Sequence, residues 1–206
     1  MNRFIPCETL PDKMILTDDP LRIQMLAAHY LDHAEKLFEL RGMTGYRGVY
    51  KGKPLAVIAC GYGESAAACY LNEAVRLGAR DILYIGECLA LERDIGLMSV
   101  ITAEGGDGPL TKRVLVMAET IPMQIRLAPV DTDDRFWLEE AGRRIGGSCR
   151  YADFATRAFH DEARKLGVSA CAILTVAENA ASGERLPEAA RQSRFSGASI
   201  LALEAL

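Results

Sequence analysis

The sequence predicts an α/β fold in which a mixed or mostly parallel sheet carries helices on both faces. Short apolar runs alternate along the chain with segments that have apolar residues at helical spacing. One strand, helix, strand series has the length typical of a parallel crossover. The chain has 206 residues, half of them hydrophobic, which is enough for one domain with a sizeable buried core. We therefore expect a single domain over residues 1–206.

The first part of the chain is predicted to hold a long helix, a hairpin and the crossover. "DDPLRIQMLAAHYLDHAEKLFEL" opens with Asp and Pro, which suit a cap and a first turn, and continues with apolar residues at helical spacing. "GYRGVYKGKPLAVIACG" alternates, turns at Lys51–Pro54 and becomes apolar, which predicts a hairpin that leads into a buried strand. "ESAAACYLNEAVRLGA" predicts a helix that ends at Gly78, and "RDILYIGECLA" predicts the next buried strand.

The second part continues the alternation. "MSVITAE" predicts a short strand, and "GGDGPL" after it predicts a flexible segment. "DTDDRFWLEEAGRRIGG" and "YADFATRAFHDEARKLG" predict helices, the second ending at Gly167. "VSACAILTVAEN" predicts a strand, and "LPEAARQSRFSGASILALEAL" predicts a C-terminal amphipathic helix.

Composition and charge exclude several classes of partner. The net charge of −4 and the absence of a Lys/Arg run provide no basic surface, so we expect no nucleic-acid partner. The apolar stretches are shorter than the roughly 20 residues of a membrane span, and "MNRFIPCETLPDK" lacks a signal-peptide core. Six cysteines are scattered without a C-x-x-C pair, which predicts reduced cysteines that behave as small hydrophobes. We expect a cytoplasmic protein.

Two histidines have a spacing that a metal site can use. His29 and His33 lie four residues apart on the predicted first helix. The sequence has no HExxH motif and contains one further histidine, so a helix surface explains the pair better. We assign no metal and no cofactor.

Polar and glycine residues follow three of the predicted strands. Gly61-Tyr62-Gly63 follows the first core strand and allows backbone to approach a ligand closely, although an ordinary strand-to-helix turn explains it equally well. Glu87 and Glu178 lie at the predicted carboxyl ends of two other strands. They would form an acid/base pair if the strands were neighbours; the alternative is that each caps a helix or pairs with a surface arginine.

Read together, these segments resemble the purine nucleoside/uridine phosphorylase superfamily, in particular its hexameric bacterial type. The resemblance rests on "DDPLR" (family pattern GDPxR), on the block from Met43 to Thr102, and on "RKLGVSACAILTVAEN" and "ARQSRF". It implies a three-layer α/β/α domain whose active site lies at carboxyl strand ends and at a dimer interface within a larger ring. It also implies a nucleoside or nucleobase ligand, phosphate as co-substrate and a homo-oligomer, a dimer of the family type or a hexamer. This chain looks like a divergent and shortened member.

The phosphate pocket that the resemblance implies has changed. Arg22 and Arg41 match two family arginines, the second of which the neighbouring subunit donates in the family. The family Gly, Arg and Ser are replaced by Asp18, Tyr84 and Glu87. Carboxylates repel an oxyanion. We therefore expect Glu87 to pair with Arg22 or Arg41 and to fill the place of phosphate.

The nucleoside half of the pocket has changed too. The ribose-clamping "EMEAAG" motif is either deleted or altered to "ADFATRA", with Asp153 and Ala155 at the two Glu positions. The family Asp thought to protonate the base corresponds to Glu178, and its supporting Arg corresponds to Arg191. Other residues expected near the nucleoside complete the predicted site, namely Gly61, Tyr62, Gly63, Tyr84 and Phe154.

Two functions fit these residues. The first is cleavage of an N-glycosidic bond, either by phosphorolysis or by hydrolysis in which Glu87 or Asp18 activates water. The second is a family member that has lost catalysis and acts in ligand binding or oligomer assembly. Charged replacements beside Arg22 and Arg41 form a compensated polar cluster, which favours the first function, since random decay would more readily leave apolar residues.

Overall fold

Strands and helices alternate along most of the chain. The computed structural model describes residues 2–121, 123–133, 149–193 and 196–206. In chain order the elements are β1 (Lys13–Thr17), α1 (Pro20–Tyr30), β2 (Asp32–Leu40), β3 (Met43–Tyr50), β4 (Lys53–Ala59), α2 (Glu64–Leu77), β5 (Asp81–Ala90), β6 (Val100–Ala103), α3 (Gly108–Thr120), β7 (Ile125–Ala128), β8 (Val130–Thr132), β9 (Tyr151–Asp153), α4 (Thr156–Leu166), β10 (Ser169–Asn179), β11 (Glu184–Arg185), α5 (Glu188–Ser193) and α6 (Ser196–Ala205).

The centre of the sheet is parallel. Its main path has the order β2-β3-β4-β1-β5-β10-β6-β7. The strands β4, β1, β5 and β10 run parallel, whereas β2 and β3 form an antiparallel edge and β6 runs antiparallel to β10. Nine of the ten residues of β5 are buried, as expected for a strand covered on both faces. The carboxyl ends of the four central strands therefore meet at one edge of the sheet.

Helices cover both faces, so the predicted three-layer α/β/α architecture is confirmed. On one face α2 and α4 contribute Leu71 and Phe159 to a core that includes Tyr84. On the other face α1, α3 and α6 enclose a second core around Ile23 and Leu201. Gly78 ends α2 as predicted, because its backbone N–H donates to the carbonyls of the last turn. Among the described helices, none is long and apolar enough to cross a membrane.

The first predicted helix is too long. The helix α1 ends at Tyr30, and the charged residues that follow form the edge strand β2, paired with β3. His33 lies in this strand with a φ of 54°, so the prediction that His29 and His33 share one helix face is wrong. Hydrogen bonds to β3 and exposure at the sheet edge outweigh the helical spacing of a few apolar residues.

Four further segments differ from the predictions. Tyr151–Asp153, predicted as helix, forms a strand that pairs with β5. The segment predicted to be flexible starts α3 instead, because the Asp107 carboxylate accepts from the Leu110 N–H at 3.1 Å. Among the described residues the C-terminal region forms α5 and α6, and α6 is buried along most of its length instead of having an exposed polar face. The segment "DTDDRFWLEEAGRRIGG", predicted as a helix, begins in β8 with Asp131 and Thr132, and its residues 134–147 lie outside the described residues.

Candidate active site

The carboxyl edge of the central strands gathers most of the predicted site residues. Asp18 directly follows β1, and Glu87 lies in β5 opposite Thr175 of β10. The strand β5 continues to Ala90, so Glu87 lies inside the strand and not at its end. Glu178 lies beside Leu89 after a register shift in β10. This geometry brings the acidic residues of three strands to one place.

Asp18 and Arg22 form a buried ion pair at the start of α1. Arg22 is 4% exposed and Asp18 is 1% exposed. The Nη1 of Arg22 donates to Asp18 Oδ1 and to Thr17 Oγ1, each at 2.6 Å, and to the Ile85 carbonyl at 3.3 Å. The other carboxylate oxygen of Asp18 is buried and has no hydrogen-bond partner among the described residues. A guanidinium held in this way already faces a negative charge of its own chain.

Glu87 is buried and pairs with Arg191. Tyr62 donates its hydroxyl hydrogen to Glu87 Oε1 at 3.0 Å, and Arg191 Nη1 lies 3.4 Å from Glu87 Oε2. Burial raises the pKa of Glu87, and the nearby negative charge of Asp18 raises it further. Within the chain the ion pair of Glu87 is formed with Arg191 in place of the expected Arg22, whose guanidinium is directed at Asp18 and whose charge also acts on Glu87. Arg41 is exposed, and its contact with the site stays a prediction.

Arg191 also connects Glu87 with Glu178. Its Nη2 lies 3.4 Å from Glu178 Oε2, so one side chain of α5 contacts the carboxylates of two strands. Arg185 binds Glu178 from β11, with Nε donating to Oε2 at 3.0 Å and Nη2 to Oε1 at 3.1 Å. The sequence analysis missed Arg185. Its signal is the turn through Gly183 (φ 78°), which folds β11 back so that Arg185 lies opposite Glu178.

Two aromatic side chains form one wall of the site. The rings of Tyr62 and Phe154 meet edge to face, with centroids 5.6 Å apart and an angle of 82° between planes. Gly61 and Gly63 have φ of 82° and 101°, values that suit glycine, and they turn the chain so that Tyr62 reaches Glu87. Tyr62 and Phe154, both expected near the nucleoside, therefore lie together beside Glu87.

A cavity of about 10 Å³ lies against these groups. Its lining consists of Glu87, Cys88, Leu89, Phe154, Ala177, Glu178 and Arg191. A volume of that size holds about one water molecule. Most of the wall is apolar, and its polar groups belong to Glu87, Glu178 and Arg191.

Three predicted site residues do not join this cluster. Tyr84 is buried in the core against Phe159, with ring centroids 5.4 Å apart. Asp153 is 1% exposed, and both its carboxylate oxygens accept hydrogen bonds, from Thr132 on one side and from Thr156 and the Ala155 N–H on the other. Burial raises the pKa of Asp153. Arg41 lies in the exposed turn between β2 and β3 with a φ of 54°.

Arg41 nevertheless lies at the carboxyl edge of the sheet. Because β3 runs antiparallel to β4, the turn that holds Arg41 is at the same edge as the cluster. The order of the sheet places β4 and β1 between this β2–β3 hairpin and β5. Within one chain, the structure shows no contact between Arg41 and Glu87.

Comparison with known proteins decides the family. The model of the phosphorylase superfamily matches residues 12–124, more than half of the chain. The chain belongs to the phosphorylase superfamily.

Curated relatives of this phosphorylase-superfamily protein cover nearly its whole length. A purine nucleoside phosphorylase DeoD-type of Alkaliphilus metalliredigens is 28% identical over 223 residues, covering 95% of this chain and 94% of the relative. The protein of the same name from Bacillus subtilis is 28% identical and covers 90% of each chain. A DeoD-type 2 enzyme of Aliivibrio fischeri is 26% identical and covers 94% of this chain and 92% of its own. The family fold expected from the sequence is thus confirmed.

Proposed function

We propose that this protein cleaves the N-glycosidic bond of a nucleoside and that water takes the glycosyl group in place of phosphate. Relatives named purine nucleoside phosphorylase support the nucleoside and the bond. The observation that carries the choice of water is that Arg22 and Arg191 both face carboxylates of their own chain. Purine nucleosides are the substrate class that the relatives favour.

The carboxylates of Asp18 and Glu87 oppose the binding of phosphate beside Arg22 and Arg191. A phosphate ion bound beside Arg22 and Arg191 would lie near the carboxylates of Asp18 and Glu87, which are both nearly fully buried. Two unit charges 4 Å apart interact by about 4 kcal/mol at an effective dielectric constant of 20. Repulsion of this size removes the gain that the arginines would otherwise provide. Water carries no charge and needs no such pocket.

Glu87 is the residue we assign as general base. The raised pKa of Glu87 brings it closer to neutral pH, where a carboxylate is a more effective base. The adjoining cavity has room for about one water. In the reaction the water oxygen bonds to C1′ of the sugar, its proton passes to the Glu87 carboxylate, and the electron pair of the C1′–N bond goes to the base. Tyr62 positions Glu87 through the hydrogen bond of 3.0 Å.

The sugar side of the pocket is expected at Phe154. Asp153 ends β9 and Ala155 precedes α4, on either side of Phe154 at the cavity wall. Its presence there supports an altered ribose motif over a deleted one. Because Asp153 is engaged by Thr132 and Thr156, sugar binding relies on other groups. We expect weak binding of ordinary ribonucleosides.

Assembly and compartment belong to the same proposal. We expect a homo-oligomer in which Arg41 of one protomer reaches the site of its neighbour, which the exposed hairpin position supports.

We expect a cytoplasmic protein, since all six cysteines are free thiols, as is usual in reducing compartments.

The test is a base-release assay with purine and pyrimidine nucleosides in ribo and deoxy forms, with and without phosphate, followed by chromatography. Release that does not depend on phosphate is the expected result, and Glu87→Gln should abolish it. Release that requires phosphate would contradict hydrolysis and establish a phosphorylase. If no nucleoside of the panel releases its base, and circular dichroism verifies that the protein is folded, the non-catalytic role is favoured.

A further inference from the structure

Arg191 lies between two carboxylates without a close hydrogen bond to either. Its Nη1 is 3.4 Å from Glu87 Oε2, and its Nη2 is 3.4 Å from Glu178 Oε2. A guanidinium committed to one carboxylate usually donates to it at about 2.7 to 2.9 Å. Because the two distances are equal, the position of Arg191 depends on how strongly each carboxylate attracts it.

Arg185 binds both oxygens of Glu178 from β11. Its Nε donates to Glu178 Oε2 at 3.0 Å and its Nη2 donates to Oε1 at 3.1 Å, as a planar fork does with a carboxylate. The antiparallel register of β10 and β11 places the two residues opposite each other. The fork therefore balances the charge of Glu178 and weakens its attraction for Arg191.

Glu87 relies on Arg191 for an ion pair. The Tyr62 hydroxyl gives Glu87 a neutral hydrogen bond of 3.0 Å, and Arg22 donates to Asp18 at 2.6 Å. Burial and then the charge of Asp18 raise the pKa of Glu87, while the charge of Arg191 opposes them ahead of the smaller effects of Tyr62 and Arg22. A displacement of Arg191 would therefore remove the largest influence that favours ionised Glu87.

We propose that Arg185 is a positioning residue, which keeps Arg191 on Glu87 by occupying both oxygens of Glu178. The inference rests on the proposed function, in which ionised Glu87 takes the proton of water, and it adds a residue that acts through Arg191. Without Arg185, Glu178 retains Arg191 as its guanidinium partner among the described residues, and Arg191 moves toward it. Glu87 then loses the positive charge of Arg191 and stays protonated to higher pH.

The test follows base release against pH in Arg185→Ala and in the parent protein. Arg185 is 61% exposed, so the variant should fold, which circular dichroism checks. On the acid limb of the profile, kcat/KM should be about tenfold lower than in the parent, the effect of removing one nearby opposite charge. At alkaline pH, where Glu87 is ionised in both proteins, the rates should agree. An equal loss at every pH would indicate a structural role and overturn the inference, as would an unchanged profile.

The double variant Arg185→Ala/Glu178→Gln tests the competition for Arg191. A neutral amide does not draw a guanidinium away from Glu87, so the acid limb should return to its position in the parent, whatever the maximal rate. An acid limb that stays where Arg185→Ala puts it would refute the competition. Arg47→Ala is the matched control, because Arg47 also contacts a glutamate on a neighbouring strand with two nitrogens, at 2.9 and 2.8 Å. A shifted limb in this control as well would overturn the assignment to Arg185.

Infrared titration separates this inference from the proposed function. The C=O stretch of protonated Glu87 is followed against pH and is identified by its absence in Glu87→Gln. In Arg185→Ala this band should appear at higher pH than in the parent, whether or not a nucleoside is cleaved. An unchanged titration would overturn the role of Arg185. A shifted titration in a protein whose parent releases no base would refute the cleavage alone and support the positioning of Arg191.

Discussion

At the scale of single residues, Glu87 occupies the position where the family resemblance implies a serine hydroxyl beside phosphate. Its carboxylate is buried and contacts Arg191, which leaves the guanidinium engaged within the chain. A serine at this position would remove a negative charge and release Arg191. On the proposed function, this side chain is what disfavours phosphate as the nucleophile.

Glu87→Ser is expected to raise the affinity for phosphate by about ten- to a hundredfold, because a nearby buried negative charge is removed. Isothermal titration with phosphate and with sulfate measures the change. Glu119→Ser, at an exposed position of α3, is the matched control and should bind no more anion than the parent. Equal affinity in Glu87→Ser and the parent protein would contradict the assignment of Glu87 to this position.

His160 provides a second prediction at this scale. Burial lowers its pKa to about 4 from 6.5, assisted by the charge of Arg164. His160 is therefore protonated below about pH 6.5 in the unfolded chain but only below about pH 4 in the folded chain. Stability contributed by neutral His160 is complete above pH 6.5 and falls by about 3 kcal/mol as the pH drops to 4.

His160→Gln should reduce this loss of stability on acidification. Urea midpoints measured at several pH values between 4 and 7 give the comparison. His29→Gln, at an exposed position of α1, is the matched control. Parallel curves for His160→Gln and His29→Gln would refute the prediction.

The sequence alone identified many of these residues but not their partners. Glu87 and Glu178 were predictable together because they lie near the carboxyl ends of strands, which meet at one edge of the sheet, and Asp18 was predictable from the family resemblance. The pairing of Glu87 with Arg191 was not predictable, because it depends on where α5 places a side chain 104 positions later in the chain. The engagement of Asp153 was not predictable for a similar reason, because its hydrogen bond to Thr132 joins residues 21 positions apart on paired strands.

At the scale of elements, the N-terminal segment is attached to α2 by one carboxylate. Glu73 accepts the backbone N–H groups of Arg3, Phe4 and Ile5 at 2.5, 2.8 and 2.7 Å. Burial alone would raise the pKa of Glu73, but the hydrogen bonds from these three amides have the larger effect, so the pKa is lowered. The contact keeps Ile5 fully buried in the core beneath.

Glu73→Ala should lower the free energy of unfolding by about 1 kcal/mol or more at neutral pH, because three amides lose their acceptor. Partial exposure of Glu73 keeps the effect below that of a fully buried group. The difference from the parent should shrink as the pH falls through the lowered pKa of the carboxyl group. Urea unfolding at pH 7 and pH 3 tests this, with Glu119→Ala as control; equal midpoints at pH 7 would contradict it.

Elements with strong local signals were predictable and those made by distant pairing were not. The hairpin β3–β4, the helix α2 and the strand β10 match their predictions because turn residues, caps and apolar runs mark them. The strands β2 and β9 carry residues that also suit helices. Their hydrogen bonds to β3 and β5 decide the outcome, and no local pattern reveals those partners.

At the scale of the whole molecule, the position of Arg41 gives a test of assembly. If a neighbouring protomer uses it, Arg41→Ala should lower activity by about tenfold or more, the loss of one charged hydrogen bond, without changing the unfolding midpoint. Lys112→Ala, at an exposed position of α3, is the control. Light scattering measures the oligomeric state of each variant.

Mixed oligomers make the test specific. Arg41→Ala and Glu87→Gln should each be poorly active alone, yet refolding them together should restore activity, because some sites then combine an intact Glu87 with a neighbour's intact Arg41. A monomeric protein, or a mixture no more active than its components, would contradict the exchange of Arg41 between protomers.

The pairing of β5 with β10 also determines how the chain acquires its fold. These strands align Asp81 with Ser169, so the apolar edge of β5 stays uncovered until a segment almost ninety positions later is available. Pairing across such a distance is slow, and an open apolar edge invites association with other chains. A fragment that ends before Ser169 is therefore expected to aggregate as it is synthesised, which sedimentation of the expressed fragment would reveal.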